Sequence, residues 1–265
     1  MAAPTLLHET RTVFVPTTGA GLAWDDAEIA VYVTDVSGRD RQIPLLFLHG
    51  WGLSPRSYRA LCDEIALLGY TVYAPAIPGF GGSAPLPDSL HHTFDRTAAL
   101  LAETIPALAL PTPLPCVGHS FGAGLGVTIA DRNPGWISAL VLLCPIGGAG
   151  PGVTTWLRLL GGLRHELTHD TLPRTLDAIP SLLHNPIALA ASGIAAKHAD
   201  LVDPIQRIAH THVPVTVVSA DQDTVVPTGR IAHVDNITYI PVHGKHGWPL
   251  THPQECASLI ATGVR

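Results

Sequence analysis

The sequence predicts an α/β protein built on a mainly parallel, doubly wound sheet, with a helical cap inserted between two of its strands. Three observations carry that expectation. Short apolar runs alternate with amphipathic stretches of helical period over most of the chain. Several of those runs are continuous rather than alternating, the pattern of parallel strands covered on both faces. One long segment, 146–207, breaks the alternation with helical pattern alone. The expected organisation is a core of residues 1–145 and 208–265, with residues 146–207 as a cap over the sheet's C-terminal edge.

Glu28 to Val33 alternates and reads as an early antiparallel strand at a sheet edge. Pro44 to His49 is a continuous apolar run, hence a buried parallel strand. Ser54-Pro55 supplies an N-cap and a first-turn proline for a helix through Leu68, which Gly69 ends. Thr71 to Ala74 is the next strand. A helix over Phe94 to Leu108, a strand over Pro115 to Val117 and a helix over Phe121 to Arg132 follow, the last stopped by Asn133-Pro134. Further strands are expected at Ala139 to Cys144, Val213 to Ser219 and Ile237 to Val242, with a final helix beginning at Pro253. Within the cap segment Trp156, Leu159, Leu160 and Leu163 fall on one helical stripe, as do Leu172, Leu176 and Ile179.

Composition narrows the function. Of 265 residues, 46% are hydrophobic and 14% charged, which suits a compact core rather than a disordered chain. The net charge is −6 and no Lys/Arg cluster stands ready to neutralise phosphates, which argues against nucleic acid and against an anionic membrane surface. The four cysteines, Cys62, Cys116, Cys144 and Cys256, are scattered without a C-x-x-C pair and read as buried thiols of a reducing compartment. No basic, apolar leader and no run long enough to span a bilayer is visible, so a cytoplasmic location is expected.

The chemistry is concentrated at Gly118-His119-Ser120-Phe121-Gly122, a G-x-S-x-G set between a short apolar run and a helix-like stretch. Glycines two residues to either side allow a turn tight enough to hold the serine hydroxyl clear of the backbone, above a helix N-terminus. A serine hydroxyl at neutral pH needs an adjacent base, and the base needs an orienting carboxylate. In an open α/β sheet these should lie on loops at the strands' C-terminal ends. The loop after Val213–Ser219 offers Asp221 and Asp223, and the loop after Ile237–Val242 offers His243 and His246.

The chain order Ser, Asp, His identifies the sequence as resembling the α/β-hydrolase superfamily over nearly its whole length. In that family the acid commonly precedes a proline by four positions, as Asp223 precedes Pro227. The base commonly precedes a helix start such as His252-Pro253. The resemblance therefore implies Ser120 as nucleophile, His246 as base and Asp223 as acid, with Asp221 and His243 as runners-up. It also implies an oxyanion hole from the backbone N–H groups of Phe121, after the nucleophile, and Trp51, in the family-like loop His49-Gly50-Trp51-Gly52. Pro78 to Ser83 resembles the family's loop after the next strand. No metal or organic cofactor is expected.

A serine in the elbow excludes the haloalkane dehalogenase and epoxide hydrolase branches, which place aspartate there. A carboxylic ester of a small or medium apolar acyl group is the expected substrate, with Trp156, Leu160 and Trp248 as candidate pocket walls. Motifs at His49–Leu53, Asp203-Pro204-Ile205 and His252-Pro253 resemble bacterial esterases of the pimeloyl-acyl-carrier-protein methyl ester type. An acyl carrier protein is therefore a conceivable partner, with Arg158, Arg164, Arg174 and Lys197 as the available basic residues. The alternatives are a C–C bond hydrolase of the meta-cleavage type, a thioesterase, a cofactor-free perhydrolase, or a ligand receptor on the same fold.

Overall fold

The computed structural model describes residues 4–18, 26–38, 42–86, 93–148, 186–226 and 229–265. The strands are β1 (Leu6–Val15), β2 (Ala27–Val36), β3 (Ile43–Leu48), β4 (Tyr70–Pro75), β5 (Leu114–His119), β6 (Ile137–Leu143), β7 (Val215–Ala220) and β8 (Thr238–Val242). They form one sheet in the order β1-β2-β4-β3-β5-β6-β7-β8. From β4 to β8 every neighbouring pair is parallel, whereas β2 pairs antiparallel with both β1 and β4.

The helices are α1 (Arg59–Leu67), α2 (Phe94–Ala107), α3 (Phe121–Arg132), α4 (Pro186–His198), α5 (Val202–Ala209), α6 (Trp248–Thr251) and α7 (Pro253–Gly263). Alternating side chains of each central strand feed two separate cores. Leu46 and Leu48 join Leu101, Leu125 and Ile205 on the side of α2, α3 and α5. Leu45 and Phe47 join Ile65 and Ile260 on the side of α1 and α7. Each such side chain is fully buried, worth about 1.5–3 kcal/mol by area removed from water. The two faces explain why β3, β5 and β7 read as unbroken apolar runs.

Three features depart from the sequence expectation. The edge beyond Glu28–Val33 is occupied by β1, paired from Leu6↔Val36 to Val15↔Ala27. Its stretch His8 to Thr12 is exposed, so the strand is held by its backbone ladder and carries no apolar pattern. The helix expected from Pro55 begins with a 3₁₀ turn, Pro55–Tyr58, before α1. The expected stop of α1 is as read: Gly69 sits at φ 107°, a conformation that favours glycine. Finally, α5, inside the segment expected to be the cap, buries Ile205 and Ile208 in the core beside α3.

All four cysteines are free and buried. Among the described residues no helix is long and apolar enough to cross a membrane. Because β3, β5, β7 and β8 run parallel, the loops that follow them emerge at one rim of the sheet. That rim carries the candidate site.

Candidate active site

Ser120 sits between β5 and α3 at φ 54°, ψ −113°, a backbone region that non-glycine residues rarely adopt. Such strain costs of order 1–3 kcal/mol and persists only where the surroundings over-determine it. Here the Ser120 N–H donates to the Leu143 carbonyl at 2.9 Å, and its own carbonyl accepts from Gly124 N–H at 3.3 Å. The flanking glycines are required by close approach. A Cβ on Gly118 would lie 2.5 Å from Ala123 Cα, and one on Gly122 would run into the Leu48 and His49 carbonyls. The start of α3 is thereby pressed against the loop after β3.

His246 lies between Ser120 and Asp223. The Ser120 hydroxyl donates to His246 Nε2 at 2.9 Å, and His246 Nδ1–H donates to Asp223 Oδ2 at 2.7 Å. Asp223 is held in turn by its other oxygen, which accepts from Val225 and Val226 N–H at 2.9 and 2.8 Å. The His246 side chain is 13% exposed and that of Asp223 3%. Burial alone would lower the His246 pKa. The charge and hydrogen bond of Asp223, with the Cys144 thiol adding in the same direction, outweigh it and hold the imidazole above its ordinary value.

The runners-up form a second pair with each other. His243 Nδ1–H donates to Asp221 Oδ2 at 3.0 Å, and Asp221 Oδ1 accepts from Gly244 N–H at 3.1 Å. This pair is exposed and ties the loop after β8 to the loop after β7. It does not include Ser120.

The loop after β3 is fixed peptide by peptide. His49 Nδ1–H donates to the Gly50 carbonyl at 3.0 Å, and His49 Nε2 accepts from Ile77 N–H at 2.9 Å. Burial pushes the His49 ring down to about 4, the Gly50 hydrogen bond offsetting only part of that, so it is neutral at pH 7. Leu53 N–H donates to the same Gly50 carbonyl at 3.3 Å. A trans peptide is planar, so anchoring the Gly50 oxygen aims the Trp51 N–H the opposite way. The Phe121 N–H, first in α3, is one of the orphan donors of a helix N-terminus. The turn after β4 buttresses this loop, with the Phe80 ring edge-on to His49 at 6.4 Å.

The Trp51 side chain has a partner that the sequence did not reveal. Its indole N–H is within 3.1 Å of the Leu189 carbonyl and 3.0 Å of Ser192 Oγ, both on α4. Trp248, expected at the pocket wall, instead packs in the core with 2% exposure and stacks on His252 at 5.7 Å. Gly244 leaves room for its indole, since a Cβ there would lie 2.7 Å from Trp248 Cδ1. Trp156 and Leu160 lie outside the described residues, as do Arg158, Arg164 and Arg174. Cys144 Sγ lies with His119 and His246 in a group whose nearest polar atoms are within 4.8 Å of one another. Both ring nitrogens of each histidine are already hydrogen-bonded, so these residues form a packed network rather than an open ligand set.

A strained serine on an elbow and a histidine bridging it to a buried carboxylate define a class of site that supports nucleophilic attack on a carbonyl. Residues 45–259 match the model of the alpha/beta hydrolase family, and the chain belongs to that family. A pimeloyl-[acyl-carrier protein] methyl ester esterase of Aromatoleum aromaticum is 28% identical, over 83% of this chain and 98% of that protein. A monoacylglycerol lipase of Mycolicibacterium smegmatis is 27% identical over 76% of this chain and 78% of its own length. An esterase structure from Exiguobacterium antarcticum shares the fold, with a TM-score of 0.76 at 16% identity, covering 96% of this chain and 99% of that one.

Proposed function

We propose that the protein hydrolyses a carboxylic ester of a small or medium apolar acyl group through an acyl-serine intermediate. The observation that carries this reading is the continuous hydrogen-bonded line Ser120–His246–Asp223 beneath a strained elbow. Ser120 attacks the ester carbonyl while His246 Nε2 takes its proton. Asp223 holds the Nδ1–H tautomer and stabilises the imidazolium that forms. The developing oxyanion is received by the N–H groups of Trp51 and Phe121, each such donor being worth about 2.7–4 kcal/mol of barrier. His246 then protonates the leaving alkoxide, and water, deprotonated by His246, releases the acid and restores Ser120.

The relatives named as a methyl ester esterase and a monoacylglycerol lipase favour an oxygen ester over a C–C bond or thioester. The anchoring of α4 onto Trp51 supports reading the α4 part of the segment 146–207 as a cap that meets the oxyanion loop. Docking of an acyl carrier protein would fall to that cap. The test is a fluorophosphonate probe with mass analysis at Ser120, alongside turnover of p-nitrophenyl esters from acetate to octanoate. Adduct at Ser120 and a preference among short and medium chains are expected. Adduct without turnover of any ester would favour a receptor on this fold.

A further inference from the structure

Behind the site runs a chain of three hydrogen bonds through two side chains for which ester hydrolysis leaves no role. Gly50 N–H donates to Tyr58 Oη at 3.1 Å. The Tyr58 hydroxyl meets His119 Nδ1 at 2.6 Å, and His119 Nε2 meets the backbone carbonyl of His246 at 3.0 Å. The directions are forced. A carbonyl only accepts, so His119 carries its proton on Nε2 and its Nδ1 is bare. The phenol must then donate to Nδ1, leaving a lone pair for the Gly50 N–H.

Both side chains are buried, Tyr58 with 1% and His119 with 2% exposure. Burial raises the Tyr58 phenol, and burial together with the neighbouring His246 holds His119 well below the ordinary imidazole value, so both stay neutral. A neutral, fully paired polar link is tolerable in a core, whereas a half-paired one is costly. Gly50 fits the same arrangement: a Cβ there would lie 2.8 Å from Tyr58 Oη and 3.0 Å from His119 Nδ1.

We propose that Tyr58 and His119 are positioning residues that brace the oxyanion loop against the backbone of the general base. One end of the brace is the Gly50 amide, adjacent to the peptide that aims the Trp51 N–H. The other is the main chain of His246. These loops follow β3 and β8, which are four positions apart in the sheet, so strand pairing alone does not fix one against the other. His119 immediately precedes Ser120, so nucleophile, base and oxyanion donor share one strut. Reacting groups must be held within about 0.5 Å, and a misplacement of about 1 Å can cost roughly a hundredfold. The inference rests on the ester-hydrolase reading for its consequence, though not for the existence of the strut.

The experiment therefore has two arms. Histidine nitrogen NMR of the wild-type protein should show His119 neutral with its proton on Nε2, and the Tyr58→Phe variant should perturb both His119 and His246. A proton on Nδ1 of His119 would overturn the proposal whatever the enzyme does. In the kinetic arm, Tyr58→Phe and His119→Leu should each lower kcat for p-nitrophenyl butyrate about tenfold or more with KM little changed, as expected when only transition-state contacts are lost. The double variant should be no worse than the poorer single, and His119→Gln, which keeps a donor toward the His246 carbonyl, should recover much of the loss. Losses that multiply, or that appear in KM, would mean that the residues act independently or by packing alone. Should His119→Leu fail to fold, Tyr58→Phe and His119→Gln carry the same test. Absence of fluorophosphonate adduct at wild-type Ser120 would sink the hydrolase reading and leave the strut to the NMR arm.

Discussion

Two Asp–His pairs join the same two loops, and burial and the contact with Ser120 separate them. Asp221–His243 makes its hydrogen bond at 3.0 Å with side chains 51% and 80% exposed. Asp223–His246, two and three residues further along, makes the same bond at 2.7 Å with side chains 3% and 13% exposed. In water the first pair is screened and contributes little. In the second, Asp223 has no solvent to share its charge with and spends it on the imidazole. The outer pair ties the loops together, and the inner pair is placed to do chemistry.

The largest effect should come from breaking the inner carboxylate. Asp223→Asn is expected to lower kcat by roughly ten-thousandfold, the scale set by losing the orienting acid of a serine triad. Asp221→Asn should leave kcat within about twofold, since an exposed pair is worth little. Steady-state kinetics on one p-nitrophenyl ester decides between them, and the reverse ranking would transfer the acid role to Asp221.

A smaller but sharper effect lies in the pH profile. Activity requires neutral His246, so kcat/KM should rise with pH as that proton leaves. Asp223 holds the His246 pKa above its ordinary value, so the rising limb should lie above about 6.5. In Asp223→Asn the residual activity should have its limb moved downward, because burial is then opposed by Cys144 without the carboxylate. A limb unmoved by this substitution would mean that another group controls it.

How much of this was legible in the sequence depends on whether a residue's role leaves a pattern. β3, β5 and β7 were readable because burial on both faces writes an uninterrupted apolar run. The Ser120 elbow was readable because close backbone approach excludes side chains at Gly118 and Gly122. β1 was not, because an exposed edge strand is specified by its ladder. The roles of Tyr58 and His119 were not, because the bonds that define them span 8, 61 and 127 residues and obey no periodicity. The sequence motif points to the Trp51 backbone amide, while its indole reaches α4 across 138 residues. Trp248 fits the core as readily as a pocket wall in the sequence, because aromatic size alone does not distinguish the two, and the structure buries it among core residues.

The smallest effect concerns stability, and it again divides buried from exposed histidines. His49 and His119 are held neutral in the fold but take up protons when unfolded, so below about pH 6.5 the unfolded chain binds more protons and stability falls with acid. Each contributes a slope of up to about 1.4 kcal/mol per pH unit, continuing for His49 down to about pH 4. His246 acts with the opposite sign. Its raised pKa contributes stability that is fully present below about 6.5 and is lost as pH climbs toward the folded value. Stability against pH should therefore peak near the ordinary imidazole value, measurable as urea midpoints across about pH 5 to 9. His49→Gln should flatten the acid side and Asp223→Asn the alkaline side, while Asp221→Asn, acting on a screened pair, should leave both slopes in place. An acid slope that survives His49→Gln unchanged would mean that the protons are taken up elsewhere, and that this ring is not held neutral by its burial between Gly50 and Ile77.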